Sequence, residues 1–402
     1  MTDLENRLRE TLHRHASGLP TDVTAAPPLV AAVRRRRATT SALLCAMTAA
    51  AVLGIVLGVR LTTPDAPGPV EPPPTPRQTT ALVYVGTNGG IWSRAEDGST
   101  SAWLGDARMM DICGVPCFPN DLAWSPDGRT LAVLMGPACC LESTAVNVVV
   151  MSSGGQDARR LFVCPEGTGC ADGMPQGLAW SPDSRQIAVA TSQEMYLVPL
   201  DGGPPELVCT CAAFHPAFLP DGRLAYVAAH RLQARDLETG ATTTLLPDDR
   251  VQDGAWSPDG RYAVVLTGSN DNFLSVLDFS ASPPVRPEPQ RAGGIGARWS
   301  PSGDRFVYLS DDGAPMRERR SELWIGIPGR PPQLLHRFPH AGGGWAQPVW
   351  SPDGSMVELF LGSGMQPGGT IWVIDANSGT VVDTITGAQG GAAWQRAPGA
   401  DQ

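Results

Sequence analysis

Lysine is absent from the 402 residues, and all 30 basic side chains are arginine. That bias reflects the codons of a GC-rich genome and carries no mechanism. Tyr (5) and Phe (9) are both scarcer than Trp (11), which gives Trp a repeated structural task. A G-x-S-x-G nucleophile elbow is missing, since Gly362-Ser363-Gly364 reads as a loop. A nucleophile beside its base is missing as well. His215, His230, His336 and His340 are scattered and read as surface or packing residues. On these grounds no catalytic residue, no cofactor site and no enzyme activity are expected. Net positive charge is lacking over most of the chain. The segment before Thr39 carries +3, so residues 60–402 carry −13 of the total −10. Long-range repulsion then excludes nucleic acid and anionic wall polymers as partners of the larger part.

Thr39 to Val59 reads TTSALLCAMTAAAVLGIVLGV, without one charge. As a helix it spans roughly 30 Å, the thickness of a hydrocarbon core. Arg34 to Arg37 precede it and Arg60 alone follows closely, so the positive-inside rule places the N-terminus in the cytoplasm. Val59-Arg60-Leu61 is no cleavage site, and Cys45 lies too early in the run to be a lipid attachment point. The expected order is a cytoplasmic segment 1–37, a transmembrane helix 38–60, a Pro-rich linker 61–79, a large exported domain 80–397 and a tail 398–402. The localisation expected is a single-pass cell-membrane protein with its large domain extracellular. Thr2-Asp3-Leu4-Glu5 has the form of a capping box, and Leu4, Leu8 and Leu12 share one helical stripe. A short cytoplasmic helix suited to docking on a partner follows.

Gly (45) and Pro (38) make about a fifth of the chain, which fits short strands joined by tight turns. One pattern recurs with Trp124, Trp180, Trp256, Trp299 and Trp350, each followed by Ser-Pro and then, in most copies, Asp-Gly. The turn aspartates are Asp127, Asp183, Asp259 and Asp353; a sixth copy, Phe218-Leu219-Pro220-Asp221-Gly222, replaces the Trp, and Trp394 stands alone. Spacings of 56, 38, 38, 43, 51 and 44 residues match a four-stranded blade with variable loops. Pro sets φ for the second turn position, Asp bonds the local backbone and Gly accepts a left-handed conformation. After each turn comes a short apolar run such as Leu131–Leu134 or Ile187–Ala190, the mark of a strand buried on both faces.

This Trp-Ser-Pro-Asp-Gly repeat resembles the propeller repeats of TolB and its WD-repeat-like relatives, over about residues 80–397. The resemblance implies an all-β fold: a seven-bladed β-propeller of four-stranded blades. The first exported strands (81–86, 90–95 and 101–104) have no Trp strand before them, and the Trp394 strand has no blade after it. Joined, they complete the seventh blade.

Nine Cys are present, and apart from Cys45 all lie in the exported domain. Cys113, Cys117, Cys164, Cys170, Cys209 and Cys211 fall in or beside connections between blades, and Cys139 and Cys140 in a loop between strands. Eight Cys in an oxidising compartment predict disulfides over three neighbouring blades on one face, with connectivity left open. The competing reading, soft-metal ligand pairs at Cys113/Cys117 and Cys209/Cys211, lacks histidines close by.

The reading that follows is a membrane-anchored, extracytoplasmic, non-enzymatic module that binds a protein or peptide, with a possible cytoplasmic partner for residues 1–37. Two alternatives stand beside it. One is a transmembrane signalling regulator, similar in architecture to the anti-sigma regulators of actinobacteria, although the zinc-site cysteines of that class are missing from residues 1–37. The other is an exported lyase-type enzyme working in the central channel, which requires His, Arg or carboxylate side chains to converge there.

Overall fold

In the computed structural model, the described residues are 81–395, apart from 87–88, 114–116, 138–145, 171–172, 247–249, 269–272, 281–283, 285–290, 293–294, 312–319, 340–347 and 363–367. The cytoplasmic helix, apolar run and Pro-rich linker expected from the sequence, and Cys139 and Cys140, lie outside them. Among the described residues no helix is long and apolar enough to cross a membrane.

Seven antiparallel four-stranded sheets form the blades of a propeller. Blade 1 takes its innermost strand, Ala392–Trp394, from the far end of the chain and its other three from Leu82–Val85, Ile91–Arg94 and Thr100–Leu104. Tyr84 pairs with Ala392 and Leu82 with Trp394, closing the ring as the sequence predicts. The innermost strands of blades 2 to 7 are Cys117–Trp124, Pro175–Trp180, Ala213–Phe218, Val251–Trp256, Ile295–Trp299 and Val349–Trp350. Each of the seven touches the innermost strands of both neighbours, all the way round. The sequence gives no warning of one element: helix α1 (Asp106–Cys113) in the connection from blade 1 to blade 2, whose Met109 is buried between those blades.

The apolar runs are the second strands, and their two-residue alternation feeds two cores at once. Leu131, Val133 and Met135 pack toward blade 1, while Ala132 and Leu134 pack toward blade 3. Fully burying each Leu or Val stabilises by about 1.5–3 kcal/mol. The turn chemistry recurs with little change. Gly128 N–H donates to Ser125 O at 2.8 Å, and Gly260 N–H to Ser257 O at 2.9 Å, with Gly128 and Gly260 at φ 69° and 68°. The Ser hydroxyl donates to the turn Asp at 2.5 Å in Ser125–Asp127 and 2.6 Å in Ser181–Asp183, Ser257–Asp259 and Ser351–Asp353. Asp221 instead accepts from Arg223. The turn aspartates are thereby engaged within their own turns.

Indole N–H groups tie blade to blade. Trp180, Trp299 and Trp350 each donate at 3.0 Å to the carbonyl of Ala123, Ala255 and Arg298 in the preceding blade. The indole nitrogens of Trp394 in blade 1 and Trp124 in blade 2 are buried without a partner. A second orphan lies in blade 7. Glu358, 0% exposed, has neither carboxyl oxygen bonded. Strand alternation puts it on the face of Met356 and Phe360, which pack against blade 1. Burial pushes its pKa up to about 8, so it is neutral at pH 7.

Candidate functional site

The innermost strands surround a central cavity of about 990 Å³. Strand pairing slips in five of these strands: between Pro119 and Asp121, Pro175 and Gly177, Phe214 and Ala217, Val251 and Asp253, and Ile295 and Arg298. A bulge bends its strand and re-aims side chains. Asp121, His215, Asp253 and Arg298 all line the cavity at these slips.

The four groups are arranged as a set. His215 Nε2 lies 3.2 Å from Asp253 Oδ1, with side chains 21% and 16% exposed. Asp253 Oδ1 also accepts the Gly254 N–H at 2.7 Å, which fixes the carboxylate. Asp121 accepts the Leu122 N–H at 3.0 Å and, across the blade boundary, the Leu178 N–H at 3.3 Å. Between Asp121 and His215 stands Gly177, at φ 136°. A Cβ there would come 4.0 Å from Asp121 Oδ2 and 3.9 Å from His215 N, so the blades on either side both approach Gly177 closely. His215 itself sits at φ 50°, a left-handed conformation in which a non-glycine residue is strained.

Electrostatics binds the set further. Burial lowers the imidazole pKa of His215; the Asp253 carboxylate opposes this and the Arg298 cation adds to it. At neutral pH the ring is therefore an uncharged base. Burial raises the Asp121 pKa, and Arg298 together with the two backbone N–H donors holds that rise back. Arg298 thus acts on both groups, while its Nη1 donates to Ala297 O at 2.7 Å.

The cysteines lie at the entrances to the same strands. Disulfides join Cys113 to Cys117, Cys164 to Cys170 and Cys209 to Cys211. Each sits just before, or for Cys117 at the first residue of, the innermost strand bearing Asp121, Gly177 or His215. Among the described residues no group of His, Cys, Asp and Glu is placed to hold a metal ion. Trp124, Trp180, Trp256, Trp299, Trp350 and Trp394 end innermost strands and serve packing. His215, read from the sequence as a surface or packing residue, is a channel residue, and Asp121, Asp253 and Arg298 were not singled out there. One signal could have found three of them: Asp121, His215 and Asp253 each stand three residues before the Trp or Phe of their repeat.

No family model and no curated protein matches the chain. Among solved structures, a putative 6-phosphogluconolactonase from Bacteroides uniformis is similar with TM-score 0.56 and 13% identity, over 79% of this chain and 100% of that one. The periplasmic gluconolactonase of Pseudomonas aeruginosa is similar with TM-score 0.54 and 15% identity, over 79% and 100%. TolB from Acinetobacter baumannii is similar with TM-score 0.50 and 17% identity, over 78% and 82%. At these identities the likeness extends to the fold alone, and the count of seven blades is this chain's own.

One expectation is corrected by these neighbours. The chain was expected to be a non-enzyme, yet two of these propellers bear the names of lactonases. The fold gives no ground for excluding catalysis. The channel, moreover, holds the converging His, Arg and carboxylate groups that the enzymatic alternative requires.

Proposed function

We propose that the chain is an enzyme that hydrolyses a small ester or lactone in its central channel, with His215 as general base. The observation that carries this reading is the His215–Asp253 contact at 3.2 Å inside the cavity, beside Arg298. Asp253 favours the tautomer protonated on Nε2, which leaves Nδ1 to take a proton. As a water oxygen bonds to the carbonyl carbon, its proton passes to Nδ1. The developing oxyanion is stabilised by the Arg298 guanidinium. Collapse breaks the bond to the leaving oxygen, which receives the proton back from the imidazolium. The structural neighbours named as lactonases act, by their names, on bonds of this kind.

The test is turnover of a panel of lactones and simple esters by the purified full chain. His215→Asn should lower kcat on the order of 10²–10⁴-fold, the range for losing a general base. The acid limb of kcat/KM should lie below an ordinary histidine's pKa. Asp253→Asn should move it lower still, since that carboxylate is the group raising the imidazole pKa. Turnover undiminished in His215→Asn, or none with any panel member, overturns the proposal.

We also propose that residues 39–59 anchor the chain in the cell membrane with the propeller outside. The support is the uncharged 21-residue run behind Arg34 to Arg37. The protein should resist alkaline carbonate extraction, and protease added to intact cells should cleave the propeller. Release into the soluble fraction overturns this.

A further inference from the structure

The channel's charge and hydrogen-bonding inventory restricts what it can hold. Among the described residues, the titratable side chains lining it are Asp121, His215, Asp253 and Arg298. With His215 neutral, one cation faces two carboxylates, or one carboxylate if Asp121 is protonated. These charges sum to negative or zero, so a permanently anionic ligand finds no net attraction and meets the field of Asp253 and Asp121. A cationic ligand would meet Arg298, which already acts on both Asp121 and His215.

Two neutral amide side chains on the lining offer acceptors. Asn120 Nδ2 donates to Phe118 O at 3.1 Å, and Gln252 Nε2 donates to Gly268 O. Both side chains thereby keep their amide oxygens for another partner. The carboxylate oxygens add acceptors, and Arg298 supplies donors beside them. An ammonium group offers donors alone and a phosphate at neutral pH offers mainly acceptors. A hydroxyl offers both, and several on one small frame match several lining groups. The cavity, at about 990 Å³, admits a molecule of sugar size.

We infer that the channel's ligand is a neutral, hydroxyl-rich molecule of the carbohydrate class. This rests on the channel being the ligand site, as in the proposed function, and it deepens that reading. The experiment is titration calorimetry of the full chain with three probes on one frame: glucose, glucose 6-phosphate and glucosamine. None is an ester or lactone substrate, so binding is read apart from turnover. Glucose should bind more tightly than either charged probe, by on the order of tenfold or more. In Asp121→Asn/Asp253→Asn, the disadvantage of glucose 6-phosphate should shrink. Should that variant fail to fold, the comparison of three probes on the native chain still decides. Equal or tighter binding of either charged probe overturns the inference, as does no detectable heat with any probe at tens of millimolar. Binding of glucose without turnover of the ester panel would sink the hydrolase reading and leave this one standing.

Discussion

The hydroxyl of Ser257 is buried, donates to Asp259 and accepts the Tyr262 N–H at 2.9 Å. Equivalent serines 125, 181, 300 and 351 are at most 3% exposed. The serine, more than the conspicuous Trp, is the polar hinge of the repeat, because a buried hydroxyl without partners is costly. Ser257→Ala leaves the Asp259 carboxylate and a backbone N–H short of a partner and should cost about 1–3 kcal/mol in urea unfolding. Glu358 should act the other way. An unfolded Glu titrates near 4.5 and the folded one at about 8, so folding holds the proton more tightly. The penalty is absent below the unfolded pKa, grows as pH rises and is complete once pH passes about 8. Glu358→Gln should therefore gain about 2–4 kcal/mol over the native chain at pH 8 and little at pH 4, read from thermal melts. An equal gain at both pH values would show that ionisation is not the cause. The channel residues were hidden in the sequence for a physical reason. Asp121, His215 and Asp253 belong to three blades, and only the side-by-side packing of successive blades brings them to one cavity. A search for neighbouring nucleophile and base sees three unrelated positions.

Elements tell the opposite story. The turn residues, the apolar second strands and the composite first blade were legible, because each rests on local rules: proline's φ, glycine's left-handed φ, and alternation on a pleated strand. Helix α1 was not, since Asp106–Cys113 lacks a clear apolar stripe and owes its place to Met109 and the disulfide at its end. Nor were the strand slips, which arise where two partners disagree by a residue. The indole ties give a comparison within one molecule. Trp299→Phe removes a made bond to Ala255 O and should cost about 1 kcal/mol beyond packing; Trp394→Phe removes a donor that has no partner and should cost less. Equal losses in chemical unfolding would show that the bond contributes nothing. The short disulfide loops are worth about 2 kcal/mol each by loop entropy. Cys209→Ser/Cys211→Ser should lose up to that amount.

The whole ring depends on one splice. Ala392–Trp394 completes blade 1, and the Arg94–Asp383 pair, with Nη2 to Oδ1 at 2.9 Å, reinforces the same seam between blades 1 and 7. That pair is partly exposed, at 23% and 36%, and contributes up to about 1 kcal/mol. The three-residue strand matters far more, since without it the Leu82–Val85 strand becomes an unpaired inner edge. A chain ending at Gly390 should lose the single cooperative melt of the full chain and expose apolar surface to dye at temperatures where the full chain does not. A melt unchanged in midpoint and steepness would show that the seam is dispensable.

That seam also sets a clock. Leu82 and Trp394 are partners separated by roughly 300 residues, so the propeller's last strand in chain order is needed by its first blade. While the intervening blades are synthesised, the Leu82–Val85 strand waits with an unsatisfied edge, open to pairing with the wrong chain. A protein built this way should fold slowly and late, and its yield should fall with concentration before its stability does.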